Sequence, residues 1–212
     1  MESKNFKAIL IILSILVIIS IVINLNIGFM KLGFEDFFYQ NSQNSQIASI
    51  RVNRVLAMFL AGISVPTSGF LLQEYFQNPL AGPSVLGITS VASLCVAFYI
   101  FFSQDFILPE FLQNGFISIS AILGSIIMMS VLLIFSRKFQ DKSYLIIFGF
   151  LVSALAGAVV SILQLYAENQ SLKNYILWSF GANNQVTRNQ LLVLLIIVFI
   201  GSFIYFVLSM KG

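Results

Sequence analysis

Two arginines lie three residues apart in the stretch RVNRVLAMFLAG, where a long apolar run begins. In a helix, residues at this spacing share one face, so the guanidinium groups of Arg51 and Arg54 can form a joint cationic patch. Because guanidinium groups bind carboxylates through paired hydrogen bonds, one interpretation is a surface that docks an acidic partner. The other is that both side chains extend to lipid headgroups and anchor a membrane helix. The spacing alone leaves the two interpretations open.

A second unusual stretch, QNPLAGP at 77–83, interrupts the apolar sequence. Proline has no backbone N–H and clashes with the preceding helical turn, and the residue before it avoids helical geometry. Pro79 and Pro83, with Gly82 between them, therefore predict an irregular backbone. Such backbone is tolerated at membrane depth only where protein or water satisfies its polar groups. A tight turn between helices and a constriction in a solute pathway are equally compatible with this pattern.

Small residues recur at Ala154, Gly157, Ala158 and Ser161, which follow the i, i+3, i+4, i+7 spacing of one helix face. Such a stripe usually marks close helix packing. The alternative is a smooth, weakly polar wall beside a large solute. Both interpretations hold together if the packing partner is a second copy of the same chain.

The run SLKNYILWSFGANN at 171–184 is amphipathic and too short to span a membrane. Gly181 predicts where its helix ends, since glycine readily adopts the left-handed conformation that follows a helix. Tyrosine and tryptophan favour the membrane–water interface. We therefore expect a short surface helix there.

These residues must be positioned by helices in a bilayer. Of the 212 residues, 58% are hydrophobic and 9% are charged, whereas soluble domains have about 25% charged residues. A spanning helix needs about 20 mostly apolar residues, and six stretches fit: 8–25, 55–72, 84–102, 116–135, 144–167 and 190–208. We predict an all-α integral membrane protein with about six transmembrane helices in a single domain, 1–212. The stretch 84–102 contains Gly87, Thr89, Ser90 and Ser93, so it is less apolar than the first stretch and is expected to face protein.

The composition argues against several kinds of chemistry. The chain has no histidine and one cysteine, so the usual ligands of zinc and haem and the Cys–His nucleophile pair are missing. No paired acid and base or phosphate-binding loop is visible, so we expect no enzyme activity, no cofactor and no metal site. The basic residues are scattered, which argues against nucleic acid as a partner. The basic cluster SRKFQDK at 136–142 favours a cytoplasmic N-terminus.

Together these motifs resemble the FecCD-type permease subunits of ABC importers for iron–siderophores, haem and vitamin B12. The resemblance rests on the order R-x-x-R, A-x-x-x-A-G, S-G-x-x-x-Q and N-P-L-A-x-P-x-x-L-G. In this sequence these are Arg51, Arg54, Ala57, Ala61, Gly62, Ser68, Gly69, Gln73, Asn78, Pro79, Leu80, Ala81, Pro83, Leu86 and Gly87. The stretches GFLVSALAGAVVS and ILWSFGA resemble the family's fifth helix and the short helix after it.

The resemblance implies a role for each matched position. Arg51 and Arg54 would dock acidic residues of a substrate-binding protein outside the cytoplasmic membrane of a bacterium. Asn78, Pro79, Leu80 and Pro83 would form part of the cytoplasmic gate. Ala154, Gly157, Ala158 and Ser161 would line the pathway at the interface with a second permease copy. ATP-binding cassette subunits would be the further partners.

The sequence also departs from the family pattern. Asn53 lies between the two arginines where the family has proline, and Gln77 stands where a basic residue often occurs. Pro66 predicts a kink in the second helix. Family members have about ten spans, so the resemblance covers their first part and predicts that the ATPase-coupling region is missing and that the chain alone does not transport. The alternative function is a membrane scaffold or assembly subunit that does not transport.

Overall fold

The computed structural model describes residues 2–28, 30–38, 44–103, 110–138, 142–181 and 186–209. Within these ranges the regular structure is helical throughout, and the helices are listed here in chain order: α1 (Glu2–Asn26), α2 (Phe34–Phe38), α3 (Ser45–Phe76), α4 (Ile88–Phe102), α5 (Glu110–Ser136), α6 (Ser143–Tyr166), α7 (Asn169–Ser179) and α8 (Arg188–Ser209). Helices suit a bilayer because each satisfies its own backbone hydrogen bonds. The predicted all-α class is confirmed.

Five of the described helices are long and apolar enough to cross a membrane: α1, α3, α5, α6 and α8. The third predicted span differs. It begins at Ile88 rather than at residue 84 and has 15 residues, which gives a length of about 22 Å against a hydrocarbon core of about 30 Å. Its start is delayed because residues 83–87 form turns, and Gly87 has the left-handed φ of +80°. The prediction that this stretch faces protein is confirmed, since Val96 and Ala97 are fully buried.

Helix α3 is longer than expected, with 32 residues from Ser45 to Phe76. The predicted span, 55–72, omitted the first ten residues of α3. These residues are largely polar, so the hydrophobic pattern gave no sign that the helix begins before the apolar run. The helix continues through Pro66.

The chain divides into two compact units, residues 1–64 with 183–212 and residues 65–182. The first contains α1, α2, the first part of α3 and α8. Its buried side chains are few and include Ala48, Arg51, Ala57 and Leu191. The contacts of Arg51, described below, connect α3 to the end of α1.

The second unit contains the end of α3 and the helices α4 to α7, with α4 packed against α5, α6 and α7. One buried cluster joins the end of α3 to α5 and α6 through Phe76, Leu86, Met128, Leu132 and Leu145. A second cluster joins α4 to α6 and α7, and its members are Val96, Ala97, Ile100, Val160 and Tyr175.

Two glycines allow backbones in the second unit to approach closely. A Cβ atom at Gly124 of α5 would lie 2.7 Å from the Cα of Ala92, and one at Gly149 of α6 would lie 2.7 Å from the Cα of Leu86. Small residues at such crossings are typical of helices packed within membranes. The two glycines therefore set how closely α5 and α6 pack against α4 and the turn before it.

Candidate functional site

The first candidate residue, Arg51, lies inside the first unit. It is only 5% exposed. One terminal nitrogen donates to the carbonyl of Leu25 at 2.9 Å and to that of Asn26 at 3.5 Å, and the other donates to the carbonyl of Met30 at 2.6 Å. Carbonyls in the last turn of a helix lack partners within the helix, so the guanidinium caps the C-terminal end of α1. The i, i+3 spacing suggested a joint cationic patch, but the guanidinium of Arg51 is turned onto backbone carbonyls.

Arg54 has a different environment. Its side chain is half-buried, and a terminal nitrogen donates to the side-chain oxygen of Asn24 at 3.1 Å. Its Nε is buried without a hydrogen-bond partner among the described residues. Between the two arginines, the amide of Asn53 donates to the carbonyl of Val186 at 3.4 Å. This part of α3 therefore holds together the end of α1 and the segment just before α8.

The second candidate feature, residues 77–83, begins where α3 ends. The N–H of Gln77 donates to the carbonyl of Glu74 at 3.2 Å, and that of Asn78 donates to the carbonyl of Gln73 at 3.1 Å. This pair of hydrogen bonds is the Schellman motif of helix ends, which requires a left-handed residue. That residue is Gln77, with φ of +51°, in a position where glycine is usual.

The rest of the turn is irregular but satisfied. The side chain of Asn78 accepts from the N–H of Leu80 at 2.9 Å, and the amide of Gln73 donates to the carbonyl of Pro79 at 2.9 Å. The N–H of Ile88 donates to the carbonyl of Pro83 at 3.0 Å. The prediction of a broken backbone at the two prolines is confirmed, and side chains supply the hydrogen bonds that a helix would otherwise provide.

The turn is also fixed to α6 within the second unit. The hydroxyl of Ser153 shares its one hydrogen between the carbonyl of Gly149 in its own helix, at 3.0 Å, and the carbonyl of Ser84 in the turn, at 3.2 Å. Leu86 is fully buried against Gly149, whereas Leu80 is 72% exposed. One side of the turn is therefore packed in the core, and Leu80 projects away from it.

The third candidate feature, the small-residue stripe of α6, is exposed at all four positions: Ala154, Gly157, Ala158 and Ser161. A Cβ atom at Gly157 would meet nothing within 4 Å. The buried face of α6 is instead formed by Leu145, Gly149, Ala156 and Val160. The stripe is therefore not part of the buried face of α6 and is open to lipid, solute or another chain.

Helix α7 packs beside α4 and ends as predicted. The phenol of Tyr175, 4% exposed, shares a hydrogen bond of 2.5 Å with the hydroxyl of Ser93. Gly181 has a left-handed φ of +69°, which confirms it as the end signal of this helix. A cavity of about 410 Å³ lies next to α7, and its lining carries no charged group: Thr89, Ser90, Ser93, Gly157, Val160, Tyr175, Trp178 and Ser179.

Sequence reasoning missed several residues that hold these features. Lys142 donates from its ammonium group to the carbonyl of Tyr75 in the last turn of α3 and lies 4.5 Å from the centroid of the Tyr75 ring. Gln73, Ser153 and Lys142 all lie in stretches that the sequence singled out. The contacts of Ser153 and Lys142 gave no signal, because their partners are 69 and 67 residues away. Among the described residues, no group of three or more His, Cys, Asp or Glu side chains could hold a metal ion.

Comparison with known proteins agrees with this architecture. The model of the FecCD transport family matches residues 10–211. The hemin transport system permease protein of Yersinia pestis is 32% identical over 185 residues, which cover 85% of this chain and 55% of that protein. The vitamin B12 import system permease protein of Shigella boydii is 25% identical over 186 residues, which cover 88% of this chain and 55% of that protein.

A solved ABC transporter structure, described as of the metal-chelate type and inward-facing, superposes with a TM-score of 0.72 and 27% identity. The match covers 96% of this chain and 61% of the other. The chain thus spans about half the length of the curated relatives it matches. Because the family model matches nearly the whole sequence, this multi-pass membrane protein belongs to the FecCD transport family.

Proposed function

We propose that the chain is a permease subunit of a binding-protein-dependent ABC importer that moves an iron chelate, haem or a cobalamin-like solute across the cytoplasmic membrane of a bacterium. The observation that carries the proposal is the family match over residues 10–211. The similar permeases, for hemin and for vitamin B12, indicate the solute class. ATP hydrolysis would belong to separate ATP-binding cassette subunits.

The proposed orientation places the N-terminus in the cytoplasm, as the basic cluster around Arg137 and Lys138 favours. The first turns of α3 then lie outside, and we assign Arg51 and Arg54 to the docking surface for a substrate-binding protein. Positive charge at that surface would complement acidic residues of the partner. Charge reversal at both positions is expected to weaken docking, and unchanged docking would contradict the assignment.

In the same orientation, the turn after α3 lies at the cytoplasmic side, and we assign Asn78, Pro79, Leu80 and Pro83 to the gate. Two features support this assignment. The turn has a fixed internal hydrogen-bond network, and the exposed Leu80 gives it an apolar side chain that can narrow a passage. A gate of this kind excludes water and ions by an apolar constriction.

We assign the stripe Ala154, Gly157, Ala158 and Ser161 to the pathway wall and to the contact with a second permease copy. The exposure of all four positions supports this role, because a small-residue stripe outside the buried face of α6 has room for a partner from another chain. Ser161 donates to the carbonyl of Gly157 at 3.0 Å, so its hydroxyl is satisfied within the helix. Such a wall would be smooth and weakly polar.

The test is uptake of labelled ferric siderophore, haem and cobalamin by cells that carry variants at the native locus. The double variant Pro79→Ala, Pro83→Ala is expected to reduce uptake of one solute severalfold at an unchanged amount of protein in the membrane. Pro66→Ala is the matched control, because it also removes a proline from this region but leaves the turn intact. Undiminished uptake in the double variant would favour a scaffold that does not transport.

A further inference from the structure

The two arginines of the proposed docking surface differ in what holds them. Arg51 is 5% exposed, and both of its terminal nitrogens donate to backbone carbonyls. Those carbonyls belong to Leu25, in the last turn of α1, and to Met30, in the segment that follows. Backbone carbonyls cannot rotate away independently of the chain. The Arg51 side chain therefore joins the end of α1 to the next segment and to α3.

Gly28 provides the space for this contact. A Cβ atom at position 28 would lie 2.7 Å from the central carbon of the Arg51 guanidinium and 3.2 Å from its Nε. A side chain there would require the guanidinium to shift from its present position against the carbonyls. The contact between the guanidinium and the carbonyls consequently depends on the charged Arg51 and the neutral Gly28. Either residue can be substituted without changing the other.

Arg54 is held less firmly. It donates to the side-chain oxygen of Asn24 at 3.1 Å, and an asparagine side chain can rotate to release it. Arg54 is also half-buried, in contrast to Arg51. The guanidinium of Arg54 can therefore exchange its present partner for a carboxylate at a small rearrangement cost.

We propose that Arg51 is a positioning residue, which fixes the end of α1 and Met30 against α3, and that Arg54 is the residue that contacts the carboxylate of the binding protein. This inference rests on the proposed docking function. It also has an electrostatic reason: the negative end of the α1 dipole lies at the guanidinium of Arg51 and offsets its charge. Less of that charge is then available to attract an acidic partner.

The test compares variants of the full chain in nanodiscs for association with the cognate substrate-binding protein over a series of salt concentrations. Arg54→Gln is expected to slow association and flatten its salt dependence, as removal of a steering charge does.

Gly28→Ala and Arg51→Lys keep every charge and are expected to weaken binding about tenfold, as loss of hydrogen bonds from a charged donor does, with an unchanged salt dependence. Rescue by reversing the partner's acidic residue is expected for Arg54→Glu and not for Arg51→Glu.

Wild-type binding in both Gly28→Ala and Arg51→Lys, together with a flattened salt dependence in Arg51→Gln, would overturn the proposal and make Arg51 a docking charge. A second measurement does not depend on docking. Hydrogen exchange of the peptide that covers the end of α1 is expected to accelerate in Gly28→Ala and Arg51→Lys but not in Arg54→Gln. If exchange accelerates in these variants but the wild-type chain does not dock the binding protein, only the proposed function is refuted. If exchange in these variants is unchanged, the positioning role is refuted.

Discussion

The contact between α6 and the turn before α4 can be tested with one methyl group. A Cβ atom at Gly149 would lie 2.7 Å from the Cα and 2.8 Å from the carbonyl carbon of Leu86, whereas ordinary contacts begin at 3.4 Å. Both atoms belong to the backbone of a fully buried residue, so no side-chain rotation relieves the overlap. Gly149→Ala must push α6 away from the turn or distort one of them.

The expected change in the stability of Gly149→Ala follows from two opposing effects. Overpacking of a filled core costs about 1–3 kcal/mol, while replacing glycine by alanine inside a helix contributes about 1 kcal/mol of stabilisation. Gly157→Ala, on the same helix, has the second effect without the first, because nothing lies within 4 Å of its Cβ position. The difference between the two variants therefore isolates the overlap.

The assay is thermal unfolding in detergent, followed by far-ultraviolet circular dichroism. For a chain of this size an overlap that costs about 3 kcal/mol would separate the two midpoints by roughly 6–12 °C, on the scale of soluble domains. We expect Gly149→Ala to unfold at the lower temperature. Equal midpoints, or a more stable Gly149→Ala, would refute the close approach of α6 to Leu86.

Three further variants test the contacts around this region by the same unfolding assay. Gln77→Gly is expected to raise stability by about 1 kcal/mol, because it removes a left-handed conformation from a residue with a Cβ atom, and a loss of stability would contradict the Schellman geometry. Tyr175→Phe is expected to lower stability by about 1 kcal/mol through loss of the hydrogen bond to Ser93, and the effect should disappear in a Ser93→Ala background. Lys142→Met is expected to lower stability by about 1 kcal/mol, since the carbonyl of Tyr75 loses a charged donor, and an equal loss in Lys142→Arg would count against a specific contact.

Several features could be predicted from the sequence because they depend on local chemistry. A chain with few charges and long apolar runs must form helices in a bilayer, since only then are its backbone groups satisfied. Pro79 and Pro83 cannot continue α3, and Gly181 favours the left-handed conformation that ends α7. The small-residue stripe of α6 follows from helical periodicity.

Other features could not be predicted because they depend on contacts between distant residues. The start of α3 at Ser45 lies in polar sequence that reads as a loop, and the start of α4 at Ile88 depends on turns closed by carbonyls of residues 82–84. The face that α6 buries is decided by Gly149, whose partner Leu86 is far away in the sequence. Helical periodicity identified the face of α6 that carries small residues, but it could not show that this face is exposed.

The arginine pair shows the same division. The sequence by itself determined that two cations share one face near the start of a spanning helix, because that depends only on residue type and helical spacing. Only the tertiary structure decided that Arg51 turns onto the carbonyls of Leu25 and Met30 while Arg54 reaches the side chain of Asn24. The physical reason is that a long, flexible side chain selects among partners by what the fold brings near it, and those partners lie more than 20 residues away in the chain.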